Sequence, residues 1–225
     1  MGAQTLVDLC HQGDQNACAN ITVNGNSIND TVGILETDVV DILNGPINIA
    51  VANTSGIDIE MLYRTEVGPG SLRVGMVANH LLDFDDTDNA NCDKQVGGIV
   101  GGGGCGTHPE WLANLNLRYD VNDFGVSLRQ RYIGSGKTDP NLEQGVDINR
   151  NNVPSVMYTD LRFSYNLGSI LGGDSDSMVF FNVTNLFDKE PPPTSTRHRA
   201  WVVPTSYGLY DIHGLRYNLG FRAEF

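Results

Sequence analysis

Between Leu215 and Phe225 the chain alternates without a break. Leu215, Tyr217, Leu219, Phe221, Ala223 and Phe225 hold the odd positions, and Arg216, Asn218, Gly220, Arg222 and Glu224 the even ones. Successive side chains of an extended strand point to opposite sides, so this stretch reads as a strand with one apolar and one polar face. A helix would scatter the same residues around its circumference. Whatever the chain folds into must give that apolar face something to meet.

The same period recurs six times upstream. Ile57, Ile59, Met61, Tyr63 and Val67 oppose Asp58, Glu60, Arg64 and Glu66, with Leu62 the exception, and Gly68-Pro69-Gly70 makes a tight turn. A second strand runs from residue 71 to about 82, with Leu72, Val74, Met76 and Ala78 on one face. In residues 111–120, Trp111, Ala113, Leu115, Leu117 and Tyr119 oppose Asn114, Asn116, Arg118 and Asp120. After a turn at Asn122-Asp123, Phe124, Val126, Leu128 and Tyr132 oppose Ser127, Arg129 and Arg131. The fifth strand, 157–167, sets Leu161, Phe163, Tyr165 and Leu167 against Asp160, Arg162, Ser164 and Asn166. The sixth, 178–186, alternates least well because Phe180 and Phe181 are adjacent. No helix-period segment competes, so the expected fold class is all-β and antiparallel.

The connections alternate too: short after the first strand, long after the second, short, long, shorter, then long. Outer-membrane barrels have short periplasmic turns and long extracellular loops. A cation on the lipid face at the bilayer midplane costs about 2–4 kcal/mol. Arg118, Arg129, Arg131, Arg162, Arg216 and Arg222 are therefore expected to face the lumen or sit near a strand end. Trp111, Tyr119, Phe124 and Phe225 fall where an interfacial girdle would lie. The competing architecture is a soluble sandwich that hides the apolar face in its own core.

Composition narrows the choice. No run approaches the ~20 apolar residues of a spanning helix, and the 40% hydrophobic content is what alternating barrel strands produce. A net charge of −13 excludes a nucleic-acid surface, which needs a basic stripe. The acidic run Asp83, Asp85, Asp86, Asp88 and Asp93 reads as a solvated loop. Four cysteines fall in two local pairs, Cys10 with Cys18 and Cys92 with Cys105, with no C-x-x-C spacing and no histidine cluster. Of three connectivities the local one is preferred, which implies an oxidising compartment.

The motifs that tempt a catalytic reading fail on context. Gly134-Ser-Gly136-Lys137-Thr138 has Arg131 where a phosphate loop needs its first glycine, and Asp139-Pro140 follows instead of a helix. Gly101 to Gly104 has no strand-to-helix setting. Five scattered histidines (His11, His80, His108, His198, His213) form no ligand set, and no nucleophile elbow occurs. No catalytic, cofactor or metal residue is named, and no enzyme activity is expected. Arg197-His198-Arg199 is a small basic cluster that reads as surface loop.

The last strand, residues 214–225, resembles the final barrel strand of TonB-dependent outer-membrane receptors. The stretch Asn182-Val-Thr-Asn-Leu-Phe-Asp-Lys-Glu-Pro191, the pair Tyr210-Asp211 and residues 48–63 are similar to further segments of that family. The resemblance implies about 7–8 strands of a larger, roughly 22-stranded barrel. It makes residues 1–45 an extracellular loop region with room for a short strand, and 46–225 the C-terminal barrel strands. It also implies location in the outer membrane of a Gram-negative bacterium, against lipid, and uptake of a siderophore or other nutrient. A plug domain and the TonB complex would be partners. No plug or TonB-contacting segment is recognised, and the amino terminus lacks signal-peptide character, so a fragment or truncated frame is expected. The alternatives are a small eight-stranded barrel closed by pairing residues 34–51 with the last strand, or a non-functional truncated fragment.

Overall fold

The computed structural model describes residues 3–30, 40–43, 52–86, 107–139, 142–168, 177–194 and 205–223. They fall in two compact units, one of residues 1–53 and 84–95, the other of 54–83 and 96–225.

The first unit departs from the loop expected there. It holds helix α1 (Ala3–His11), helix α2 (Gln15–Cys18) and a three-stranded sheet of β1 (Ile21–Val23), β2 (Asn26–Ser27) and β3 (Val40–Ile42) in the order β2-β1-β3. Leu6, Ala17, Cys18, Ile21 and Val23 make its buried core. Asp14 caps α2, its carboxylate accepting from the amides of Asn16 and Ala17. Helices this short are marginal alone; packing and a Cys10–Cys18 disulfide hold these. The helical signal was there to read, since Ala3, Leu6, Val7 and Cys10 follow the three-four spacing of a helix face.

The second unit is dominated by one antiparallel sheet. Its strands are β4 (Ala52–Val67), β5 (Gly70–Asp86), β6 (Trp111–Val121) and β7 (Phe124–Ile133). A small hairpin of β8 (Gly136–Lys137) and β9 (Asn152–Val153) intervenes before β10 (Val156–Asn166), β11 (Met178–Thr184) and β12 (Arg216–Arg222). The sheet order is β12-β11-β10-β7-β6-β5-β4, a meander of hairpins. All seven strands expected from alternation are present. Among the described residues β4 and β12 each have one neighbour in it, and the barrel is not closed. Of residues 34–51, the described strand β3 pairs with β1 and not with β12.

The register puts the alternation on common faces. One row runs Leu72, Tyr119, Val126, Phe163, Phe181 and Leu219 across six strands. The next runs Val74, Leu117, Leu128, Leu161, Val183 and Tyr217. A one-residue slip in any strand would turn its whole apolar set to the other side. Most of these side chains are exposed or half-buried, Leu219 at 73% and Tyr217 at 66%, while Val183 is buried at 4%. The face is apolar and continuous.

Aromatic residues mark its margins. Trp111 stacks on His80 with ring centroids 4.0 Å apart, and His80 Nε2 lies 3.2 Å from Glu110 Oε1. At the other end the Tyr119 hydroxyl donates to the Val67 carbonyl at 2.9 Å, and Phe124 lies 6.2 Å from Phe163. Phe225, expected in the same girdle, lies outside the described residues.

Both exceptions to the alternation have a structural reason. Phe180 stands on the polar face opposite Gly220, where a Cβ would overlap its ring. Leu62 also stands on the polar face and reaches over Gly75. At Gly220 the missing side chain makes room for the large ring on the neighbouring strand, whereas at Gly75 a Cβ would meet Leu62 Cδ1 at 4.0 Å, an ordinary contact.

Candidate functional site

The polar face of the sheet gathers much of the protein's positive charge. Successive residues on one face of a strand lie roughly 7 Å apart, so each row of the register is a rung. Nearest the long connections is a rung of Asn79, Leu112, Ile133 and Val156; below it lies one of Val77, Asn114, Arg131 and Tyr158, and next comes Gly75, Asn116, Arg129 and Asp160. The fourth runs Arg73, Arg118, Ser127, Arg162, Asn182 and Asn218. Toward the short turns, Arg222 pairs with Met178. All six arginines expected on the face away from lipid lie on it, Arg216 included, opposite Thr184.

Their partners differ, and the difference matters. Arg118 is held by Asp120, with Nε 2.7 Å from Oδ2 and Nη2 2.9 Å from Oδ1. Arg216 pairs with Asp211 at 3.0 Å. The Arg131 guanidinium lies 4.9 Å above the Tyr158 ring. Arg162 lies 4.4 Å over the Phe180 ring, with the Met178 sulfur 3.9 Å from Nη2. Arg129 and Arg162 make no ion pair with any described residue.

Arg118, Arg129 and Arg162 line one hollow of about 400 Å3 with Asn116, Ser127, Asp160, Asn182 and Thr184. Asp160 is its single carboxylate, and one oxygen already accepts the Asn185 amide at 2.9 Å. Donors outnumber acceptors here, and the net charge of the lining is positive. The hollow thus has the chemistry of an anion site, although the whole chain is acidic.

At the long-connection end the same face becomes apolar and covered. Ile133, Val156 and Tyr158 from the strands pack with Val153 and Tyr210 from the connections in a buried cluster, flanked by Leu112 and Leu209. The connections are internally braced. Asn151 is buried, donating from Nδ2 to the carbonyls of Asp139 and Leu142 and accepting the Asp139 amide at Oδ1. Gly136-Lys137 forms β8, and no helix follows it.

The segment after β11 is a clasp. Asn185, fully buried and at φ 53°, holds Lys189 through both ends of its amide. Asp188 accepts the Leu215 amide just before β12. Asp211 accepts from Arg216 and from the His213 amide, and the Tyr158 hydroxyl accepts the Asp211 amide. Asn182–Pro191 and Tyr210-Asp211, singled out in the sequence, are thus two parts of one junction. Burial pushes the Tyr210 hydroxyl well above the ordinary tyrosine range, and it has no hydrogen-bond partner among the described residues.

Cys10 and Cys18 are joined; Cys92 and Cys105 lie outside the described residues, as do Asp88, Asp93, Gly101 to Gly104 and the Arg197-His198-Arg199 cluster. Among the described residues no three potential ligands cluster to hold a metal. The rung of arginines was legible from alternation. The hollow was not, because it depends on which strands become neighbours.

The family model described as TonB dependent receptor-like, beta-barrel matches residues 15–186, more than half of the chain. The match takes in the first unit from α2 onward and the sheet as far as the β11 clasp, and stops before β12. No curated protein sequence matches the chain.

Proposed function

The chain belongs to the TonB-dependent receptor-like β-barrel family, and on that premise we propose that it is part of the barrel wall of an outer-membrane receptor. The receptor takes up a siderophore-bound metal or another nutrient, with a plug domain in its lumen and energy from the TonB complex. The observation that carries the reading is the apolar face that runs unbroken across the sheet, opposite a face rich in arginine. A bilayer is the apolar solvent such a face requires. Lipid also forbids unpaired strand edges, so β4 and β12 take further strands as neighbours.

Residues 1–45 form an extracellular segment, and the Cys10–Cys18 link belongs to an oxidising compartment. Cys92 and Cys105 make a second link of the same kind. No enzyme activity is part of the reading, since the family is one of transporters.

The test is fractionation of cells expressing the gene from its own locus, with uptake measured for a panel of iron chelates, cobalamin and oligosaccharides. The product is expected in the outer membrane, with uptake of one ligand lost on deletion and restored by the gene. Recovery in the periplasm or cytosol would sink the reading.

A further inference from the structure

We propose that the hollow lined by Arg118, Arg129 and Arg162 binds an oxyanion, the carboxylate or phosphate of a small solute passing along the wall. The inference rests on the reading of the polar face as lumenal. Its basis is a charge imbalance at one place. Three arginines from three adjacent strands, β6, β7 and β10, are among the residues that line a volume of about 400 Å3, which also include Leu117, Leu128, Leu161 and Val183. Only Arg118 is neutralised, by Asp120. Arg162 is fixed by the Phe180 ring and the Met178 sulfur, neither of which cancels its charge. Arg129 has no ion-pair partner among the described residues.

The remaining lining suits the same guest. Asn116, Ser127, Asn182 and Thr184 supply amide and hydroxyl donors. Asp160, directly opposite Arg129 in the register, spends an oxygen on the Asn185 amide instead of an arginine. Guanidinium forks match the paired oxygens of carboxylate and phosphate, and such charge-assisted bonds are about twice as strong as neutral ones. The volume is of small-molecule size. Phe180 holds Arg162 aimed in advance, which lowers the ordering cost of binding.

The rungs on either side lead to and from it. Arg131 lies one rung toward the long connections, and Arg222 lies toward the short turns. A solute carrying one oxyanion meets a guanidinium at most steps along the wall, and the hollow is the step where two lack carboxylates.

The test uses the full chain folded in detergent micelles at low salt, titrated calorimetrically with sodium malonate and with inorganic phosphate. Saturable binding of either is expected; the tighter of the two identifies the oxyanion class. Arg129→Gln and Arg162→Gln should each weaken binding by about tenfold or more, and Arg129→Lys should weaken it less, since a point charge replaces the fork. Arg73→Gln and Arg222→Gln, on the same face outside the hollow, should each weaken it less than either hollow variant, and by less than about twofold when the titration is repeated at about 0.15 M salt, where the Debye length is about 8 Å. Heat-modifiable mobility verifies that each variant is folded; should Arg129→Gln fail, Arg162→Gln carries the same expectation. Absence of binding by the parent chain, equal losses in all four glutamine variants, or competition by chloride at equal ionic strength would each overturn the inference. A chain that reaches the outer membrane yet binds neither anion refutes this proposal alone, whereas mislocalisation refutes the functional reading.

Discussion

The two compact units dispose of their apolar residues in opposite ways. In the first, Leu6 is 0% and Ile21 1% exposed, closed around a cystine. In the seven-stranded sheet, equally apolar residues stand in ordered rows on a face that is largely exposed or half-buried. The first unit is built for water and carries its oil inside. The sheet is built for an apolar surrounding and keeps water on its other side, where the arginines lie. Exposed hydrophobic residues in one chain can thus signal a solvent, not a defect, when they obey a register that spans many strands.

The comparison breaks if charge is tolerated equally on both faces. Leu117 lies in the middle of β6, between Val74 and Leu128. Leu117→Arg is expected to cost about 2–4 kcal/mol of folding free energy in lipid vesicles. Asn116→Arg, one residue away on the polar face, should cost far less. Urea titration of heat-modifiable mobility in vesicles measures both, and equal costs would remove the case for a lipid face.

The next largest effect belongs to the first unit. Cys10→Ser with Cys18→Ser should destabilise it by about 2–3 kcal/mol, the low end for a short closed loop. Hydrogen exchange should rise across residues 3–30 while the sheet keeps its protection. A loss that spread to β6 and β7 would show that the units are not independent.

Gly220→Ala tests how finely the polar face is packed. The added methyl must displace the Phe180 ring and with it the Arg162 guanidinium, at a cost of about 1–3 kcal/mol. The double variant Gly220→Ala with Phe180→Leu should recover part of that stability, which a double-mutant cycle would detect.

The smallest effect should be at Tyr210. Its buried hydroxyl lacks a partner among the described residues, so Tyr210→Phe is expected to be neutral or to stabilise by up to about 1 kcal/mol. The raised folded-state pKa means the neutral form is favoured in the fold. Its contribution is intact below the ordinary tyrosine pKa, about 10, and is lost as pH rises beyond it. Melting followed between pH 9 and 11 (roughly bracketing that value) should fall more steeply in the parent than in Tyr210→Phe.

Much of this was legible from residue order alone. All seven strands of the large sheet and the placing of the six arginines on its polar face follow from a period of two, because successive side chains of a strand point to opposite sides. Membership in the receptor family was visible in the last strand and the stretch after β11, although the family match itself lies upstream of β12. Of the first unit, only β3 falls where a short strand was expected, and its helices were missed. The longer helix is only nine residues long, and polar neighbours diluted a pattern that the cystine and a three-stranded sheet make stable. The hollow was out of reach for another reason: Arg118, Arg129 and Arg162 become neighbours only through the pairing of β6, β7 and β10.

The partnership of large residues with glycines has a consequence for how such a wall can change over generations. Phe180 needs the gap at Gly220, and Leu62 occupies the space over Gly75. A side chain gained at Gly220 collides with the Phe180 ring, and one lost at Phe180 leaves Arg162 without its platform. Neither member of that pair has a free single step. Drift at these positions should be slow and concerted, so that in related chains the glycine and its bulky neighbour are kept together or exchanged together.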